Sequence, residues 1–447
     1  MSTVGERERL TQERVVAYFR DTLGYRYLGN REYREGNSNI EEALLAAWLK
    51  RQGHNKKILG KVLHELDRAK AIGGSKNLYD ANREVYGLLR YGVKVRPDVG
   101  EQHITVWLID WEHPEKNDFA IAEEVTIAGE NSKRPDIVLY VNGIALGVLE
   151  LKRSIVSVSE GIRQNLDNQK KIFIRPFFST VQLVMAGSET EGLRYGVIET
   201  PEKYYLRWKE ENAPLAAGEN PLLAELGQLC RKDRLLEIVH DFIVFDAGTK
   251  KTCRHNQYFG VKAAQERVKR REGGIIWHTQ GSGKSLIMVW LAKWIREHVP
   301  AGRVLLVTDR TELDDQIEKV FLGVAEDIYR TRSGADLVRV LNSDTEWLVC
   351  SLIHKFGRGD DLSDADLQTY IEEIQSNLPR GFSPKGEFFV FVDECHRTQS
   401  GKLHQAMKAL LPKAMLIGFT GTPLLKADKQ KRSEERRVGK ECHVVCR

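Results

Sequence analysis

Trp277-His278-Thr279-Gln280-Gly281-Ser282-Gly283-Lys284-Ser285 is a run of small residues that ends in a lysine and a hydroxyl. Glycine lets successive backbone N–H groups turn toward an anion with no Cβ in the way. In such a loop Gly281, Ser282 and Gly283 form a cradle, Lys284 reaches the β- and γ-phosphates of a nucleotide such as ATP, and the Ser285 hydroxyl ligates Mg²⁺. Leu286 to Trp294 reads as an amphipathic helix, and its positive N-terminal end faces the phosphates. Gly273 to Trp277 is a short apolar strand just before the loop. Strand, loop and helix thus come in the required order. His278 stands where the full pattern has glycine, so the shorter Gly-x-Gly-Lys-Ser core carries the reading.

A second motif lies downstream. Phe388 to Val392 is an apolar run suited to a strand buried on both faces of a parallel sheet. It ends in Asp393-Glu394-Cys395-His396, at the end of a strand where open α/β sheets bind ligands. Asp393 is expected to hold Mg²⁺, and Glu394 to orient and deprotonate an attacking water. Leu416 to Phe419 is another apolar run, ending in Thr420-Gly421-Thr422-Pro423. In order and spacing the three segments resemble motifs I, II and III of superfamily 2 helicases. Val304 to Arg310 resembles motif Ia, and Leu348 to Phe356 the next strand and its loop. The resemblance implies that Thr308 and Arg310 touch nucleic-acid phosphates. It implies that His396, Thr420 and Thr422 couple nucleotide state to that grip, and that Gln257, with Arg254 nearby, reads adenine.

The other half of the chain has a different pattern. Leu10–Leu23, Ile40–Lys50, Lys57–Ala71 and Leu78–Tyr91 carry apolar residues at helical spacing. Ile104–Ile109 and Phe119–Ile127 then read as strands. Asn142-Gly143 between two apolar runs is a hairpin signal, because both residues tolerate positive φ. That hairpin brings Asp136 beside the end of the next strand, where Glu150 and Lys152, two apart, share a face. Two carboxylates and a lysine at one point suit a metal-dependent nuclease: Asp136 and Glu150 ligate Mg²⁺ through oxygen, and Lys152 steadies developing charge. The Leu151 carbonyl is a further ligand candidate.

This Pro-Asp…Glu-x-Lys arrangement resembles the PD-(D/E)xK restriction-endonuclease fold. In that family a Gln-x-x-x-Tyr segment follows and contacts DNA or supports the lysine. Here Gln164 matches, and Asn168 stands where tyrosine is expected. An acid on the first helix often completes such sites, and Glu13 is the candidate.

Together the two halves resemble the R (motor and nuclease) subunit of type I restriction-modification enzymes, from about residue 10 to about residue 430. The fold expected is α/β: a PD-(D/E)xK restriction-endonuclease-like domain at 1–205, a Pro/Gly-containing linker at 206–234, and a RecA-like superfamily 2 helicase lobe at 235–431. A second lobe with its arginine finger is not expected within this chain, because little follows Pro423. The resemblance implies ATP-driven translocation of double-stranded DNA and Mg²⁺-dependent cleavage. It also implies assembly with methyltransferase and specificity subunits, which hold any S-adenosylmethionine. A type III restriction subunit, a repair motor or a non-catalytic DNA-binding module are the alternatives. Type III subunits usually place the nuclease after the motor, whereas here it comes first.

Composition sets outer bounds. With 447 residues, 41% hydrophobic, the chain is long enough for more than one core. The balance of 68 basic and 63 acidic side chains, net +5, permits a nucleic-acid partner without arguing for one. No apolar run reaches the roughly 18 residues of a membrane span, and the polar N-terminus is unlike a signal peptide. The cysteines, Cys230, Cys253, Cys350, Cys395, Cys442 and Cys446, form no zinc pattern, so a reduced cytoplasmic setting is expected. Residues 432–447, with Arg432 to Cys442 resembling a translated sequencing adapter, are expected to be a non-native tail of a truncated reading frame.

Overall fold

At Asn142 and Gly143 the backbone takes φ of 50° and 85°, closing the hairpin between β5 (Ile137–Val141) and β6 (Ile144–Lys152). Asn142 is fully buried. Its Nδ2 donates to the Leu108 carbonyl and to Asn117 Oδ1, and its Oδ1 accepts from the Asp118 N–H. The turn is therefore part of the core. The computed structural model describes residues 4–210, 220–279, 281–308, 327–352, 378–380, 382–393, 410–421 and 443–445, with Phe321, Glu372, Ser376, Met407 and Lys408 between them. Within these the chain divides into two compact units, Met1–His255 and Asn256–Arg447.

The first unit is built on a six-stranded mixed sheet. β1 (Arg26–Asn30) runs parallel to β4 (Phe119–Glu123), which pairs antiparallel with β5. β6 follows antiparallel, then β7 (Leu183–Ser188) parallel to β6, then β8 (Gly192–Gly196) antiparallel. Tyr140, Val148, Val184 and Phe178 pack as one core cluster with no exposed surface. The first four helices are α1 (Val4–Asp21), α2 (Glu42–Arg51), α3 (Lys56–Lys70) and α4 (Leu78–Tyr91). Helix α4 starts where the pattern predicts because Asn77 and Asp80 form a capping box. The strand at Ile104 ends sooner than predicted, at Val106, since the Trp107 carbonyl is taken by the Trp48 and Gln52 side chains. The strand at Phe119 ends at Glu123, before Glu124 turns to φ 50°.

Within the expected linker at 206–234, residues 211–219 lie outside the described residues, and the described parts on either side are packed structure. Trp208 is buried, and Asn220 caps a helix, α6 (Pro221–Leu229), whose Leu222, Leu226 and Leu229 are fully buried. Helix α7 (Lys232–Asp241) and the hairpin of β9 (Val244–Asp246) and β10 (Thr249–Lys251) follow within the same unit. Lys250 is buried there, donating from Nζ to Asn82 Oδ1 and Gln182 Oε1 at 2.7 and 2.6 Å. Pro221 opens this packed helix, proline being suited to its first turn.

The second unit is an all-parallel sheet. Its core strands are β11 (Gly274–Trp277), β12 (Gly302–Thr308), β15 (Glu387–Val392) and β16 (Met415–Thr420), with β14 (Leu348–Leu352) and β13 (Tyr329–Arg330) beyond β12. Phe389, Val390 and Phe391 have no exposed surface, as a strand covered on both faces requires. His443–Val445 forms a short strand, β17, parallel to β11. This part of the tail thus adopts strand structure that its charged surroundings in sequence do not advertise.

Candidate functional site

In the first unit the β5–β6 register sets Ile137 opposite Leu149, which brings Asp136 to the end of β6. Asp136 Oδ2 accepts a 2.6 Å hydrogen bond from the Leu151 N–H, between Glu150 and Lys152. Glu150 is fully buried. Its Oε1 accepts from Asn168 Nδ2 at 3.1 Å, while its Oε2 is buried with no hydrogen-bond partner. Burial first, and the neighbouring Asp136 second, hold the Glu150 carboxyl well above the usual carboxylate range. The two carboxyls are within hydrogen-bonding reach of each other. Lys152 Nζ donates to the Leu151 carbonyl at 2.9 Å. The expected trio Asp136, Glu150 and Lys152 is therefore one cluster.

These donors fit a divalent cation. Two carboxylates and the adjacent Leu151 carbonyl form an all-oxygen set suited to Mg²⁺. A buried carboxylate oxygen left without a partner is costly unless something of opposite charge meets it.

Helix α5 (Val158–Asn168), capped by Ser157, covers the cluster. Asn165 Nδ2 donates to the Met185 carbonyl at 2.8 Å, fastening the helix to β7. Gly161 lies close above Lys152: a Cβ there would stand 3.5 Å from Lys152 Cγ. Gln164 is half-buried one turn before Asn168, on the same helical face. Glu13 pairs at the surface with Arg9 at 3.1 Å, whereas its neighbour Gln12 is the buried one and donates to Glu123 Oε2. Sequence reasoning leaves the Asn168 role open and misses Tyr205. The Tyr205 hydroxyl is buried without a partner, and its ionisation is suppressed by burial and by the Glu150 charge. For Asn168 the readable signal is its four-residue spacing from Gln164.

In the second unit the register aligns the ends of the parallel strands. Trp277 is opposite Thr420, Val392 opposite Val307, and Thr308 opposite Leu352. The His278 N–H donates to the Thr420 carbonyl and the Asp393 N–H to the Val307 carbonyl, both at 3.0 Å. The loop of Gly281 and Gly283, Asp393, Thr308 and Thr420 thus share the carboxyl edge of one sheet, where such sheets bind ligands. Gly281 and Gly283 take φ of 77° and 85°, and helix α9 (Lys284–His298) begins at Lys284, directly followed by Ser285. Gln257 Nε2 donates to the Ser282 carbonyl at 2.6 Å, so this side chain braces the loop itself. His278 is buried, and burial with the Lys284 charge lowers its pKa to about 4. Arg310, Glu394, His396 and Thr422 lie outside the described residues.

Two kinds of region emerge, a mixed-sheet unit with a buried acid pair and a parallel-sheet unit with a glycine loop before a helix. Comparison with known proteins agrees with that division. Residues 5–203 match the family described as type I restriction enzyme R protein N terminus, and residues 256–443 match the SWI2/SNF2 ATPase family. The chain is similar over most of its length to endonuclease subunits of type I restriction enzymes. Against the HindI endonuclease subunit of Haemophilus influenzae it is 29% identical over 78% of this chain and 35% of that one. Against the SauCOLORF180P endonuclease subunit of Staphylococcus aureus it is 25% identical over 90% of this chain and 41% of that one. The chain spans only 35–41% of the length of these curated relatives. Among solved structures, the UvsW helicase of bacteriophage T4 aligns with TM-score 0.31 and 19% identity, over 43% of this chain and 60% of that one. A nuclease-deletion mutant of the type ISP restriction-modification enzyme LlaGI, in complex with a DNA substrate mimic, aligns with TM-score 0.29 and 17% identity, over 39% and 18%. Among the described residues no helix is long and apolar enough to cross a membrane.

Proposed function

We propose that this chain is the nuclease region and first motor lobe of a type I restriction R subunit, acting on double-stranded DNA alongside methyltransferase and specificity subunits. The observation that carries the reading is the convergence of Asp136, Glu150 and Lys152 at the end of one hairpin. In this reading the first unit is a PD-(D/E)xK nuclease. Asp136, Glu150 and the Leu151 carbonyl hold Mg²⁺, which when bound polarises the scissile phosphate and acidifies a bound water. Lys152 releases the Leu151 carbonyl and donates from Nζ to a phosphate oxygen, countering the charge that builds there. Burial of Glu150 keeps bulk water from the carboxylate.

In the second unit, the N–H groups of Gly281 to Lys284 turn toward the nucleotide phosphates, and Lys284 Nζ neutralises them. Ser285 and Asp393 hold the nucleotide-bound Mg²⁺, and Glu394 orients the water. Thr308, Arg310, His396, Thr420 and Thr422 couple hydrolysis to the grip on DNA. Gln164 sits on the helix face beside the nuclease centre, suited to a DNA contact.

The test uses the assembled enzyme. Glu150→Ala is expected to abolish DNA cleavage while ATP hydrolysis stays near normal, and Lys284→Ala to abolish ATP hydrolysis. Loss of both activities in Glu150→Ala would overturn the site assignment.

A further inference from the structure

Glu150 is a single carboxylate with two unlike oxygens. Oε1 is held by Asn168 Nδ2 at 3.1 Å, and Oε2 is buried with no N–H or O–H donor, in a carboxyl that lies within hydrogen-bonding reach of Asp136. Asn168 is only 1% exposed, so its amide has little water to turn to. Its own Oδ1 is likewise buried without a partner. The helix carrying it is fastened to the sheet: Asn165 Nδ2 bonds the Met185 carbonyl, and Gly161 has Ala186 so near that an added Cβ would stand 3.1 Å from the Ala186 Cβ. The donor is thus presented by a rigid element packed on β6 and β7.

A carboxylate with free rotation about its last bond presents either oxygen to a cation and loses entropy on binding. One held by a fixed donor is pre-set, and partners behind metal ligands typically matter about 10- to 100-fold in metal affinity. We propose that Asn168 is a positioning residue that fixes Glu150 Oε1 and thereby commits Oε2 to the divalent cation. The inference rests on the nuclease reading above. It also gives a role to a position where the related nuclease family is expected to carry tyrosine.

The test is calorimetric titration of the intact 447-residue chain with Mn²⁺ alone, without DNA or nucleotide. Asp136→Ala identifies the part of the binding that belongs to this centre. Asn168→Ala is expected to weaken that part about 10- to 100-fold. Asn168→Ser, which leaves a smaller void and whose hydroxyl is too short to reach Oε1, is expected to do the same. Melting midpoints without cation, measured on each variant, separate binding from folding. A lowered midpoint with unchanged Mn²⁺ affinity in the folded variants overturns the inference and leaves the nuclease reading standing. Absence of any Asp136-dependent Mn²⁺ binding in the native chain overturns the nuclease reading and the inference with it.

Discussion

The Asp136 carboxylate accepts a 2.6 Å hydrogen bond from the Leu151 N–H, tying the acid before one strand to the residue between Glu150 and Lys152 in the next. The bond makes the acid pair a property of the hairpin. Glu150, beside that link, is fully buried, and its side chain is held by Asn168.

Replacing the buried carboxylate by its neutral isostere separates its two roles. Without divalent cations, Glu150→Gln is expected to melt at a higher temperature than the native chain, because an amide costs less to bury beside Asp136. Addition of Mg²⁺ should raise the melting temperature of the native chain and leave Glu150→Gln unmoved. Differential scanning calorimetry with and without Mg²⁺ measures both, and equal Mg²⁺ shifts would show that Glu150 is no ligand.

The hairpin itself is a stability determinant. Gly143 has φ 85°, and a Cβ there would stand 2.7 Å from the Glu41 carbonyl oxygen and 2.8 Å from the Leu45 nitrogen. Backbone strain of about 1–2 kcal/mol and overpacking of about 1–3 kcal/mol add. Gly143→Ala is therefore expected to lower the stability of the first unit by about 2–5 kcal/mol, read from the urea midpoint. A loss below about 1 kcal/mol would mean that helix α2 yields to the new methyl group.

Much of this architecture is legible in the sequence where local chemistry and global packing agree. Asn77 and Asp80 announce the start of helix α4, and Asn142-Gly143 announces the hairpin that gathers the acids. Legibility fails where one signal has two meanings. Pro221 reads as a linker residue, yet after Asn220 it opens a buried helix. Asn168 reads as a departure from a motif, yet its amide reaches the carboxylate that the motif serves. Gln257 lies upstream of the loop, and only the fold reveals that its amide meets the Ser282 carbonyl.

That last contact gives a discriminating experiment. A glutamine that reads adenine loses base selectivity when truncated, whereas one that braces the loop loses affinity for every nucleotide. With Gln257 Nε2 at 2.6 Å from the Ser282 carbonyl oxygen, Gln257→Ala is expected to weaken ATP and GTP binding in parallel. The loss expected for one hydrogen bond is roughly fivefold. Equilibrium binding of fluorescent ATP and GTP analogues measures it, and a selective loss for ATP would assign the side chain to the base.

His278 makes the second unit sensitive to acid. Its folded pKa, about 4, lies below the ordinary value of 6.5, because burial and the Lys284 charge oppose the protonated ring. The unfolded chain therefore takes up the proton first as pH falls. The neutral ring costs nothing above about pH 6.5, and the folded state loses ground progressively from there to about pH 4, with no further loss below. His278→Asn removes this titration while keeping a polar side chain beside Thr420. Moving from pH 7 to pH 5 should thus lower the urea midpoint of the native chain more than that of His278→Asn. A gap between the two midpoints that does not change with pH would mean that the folded protein protonates His278 as readily as the unfolded chain does.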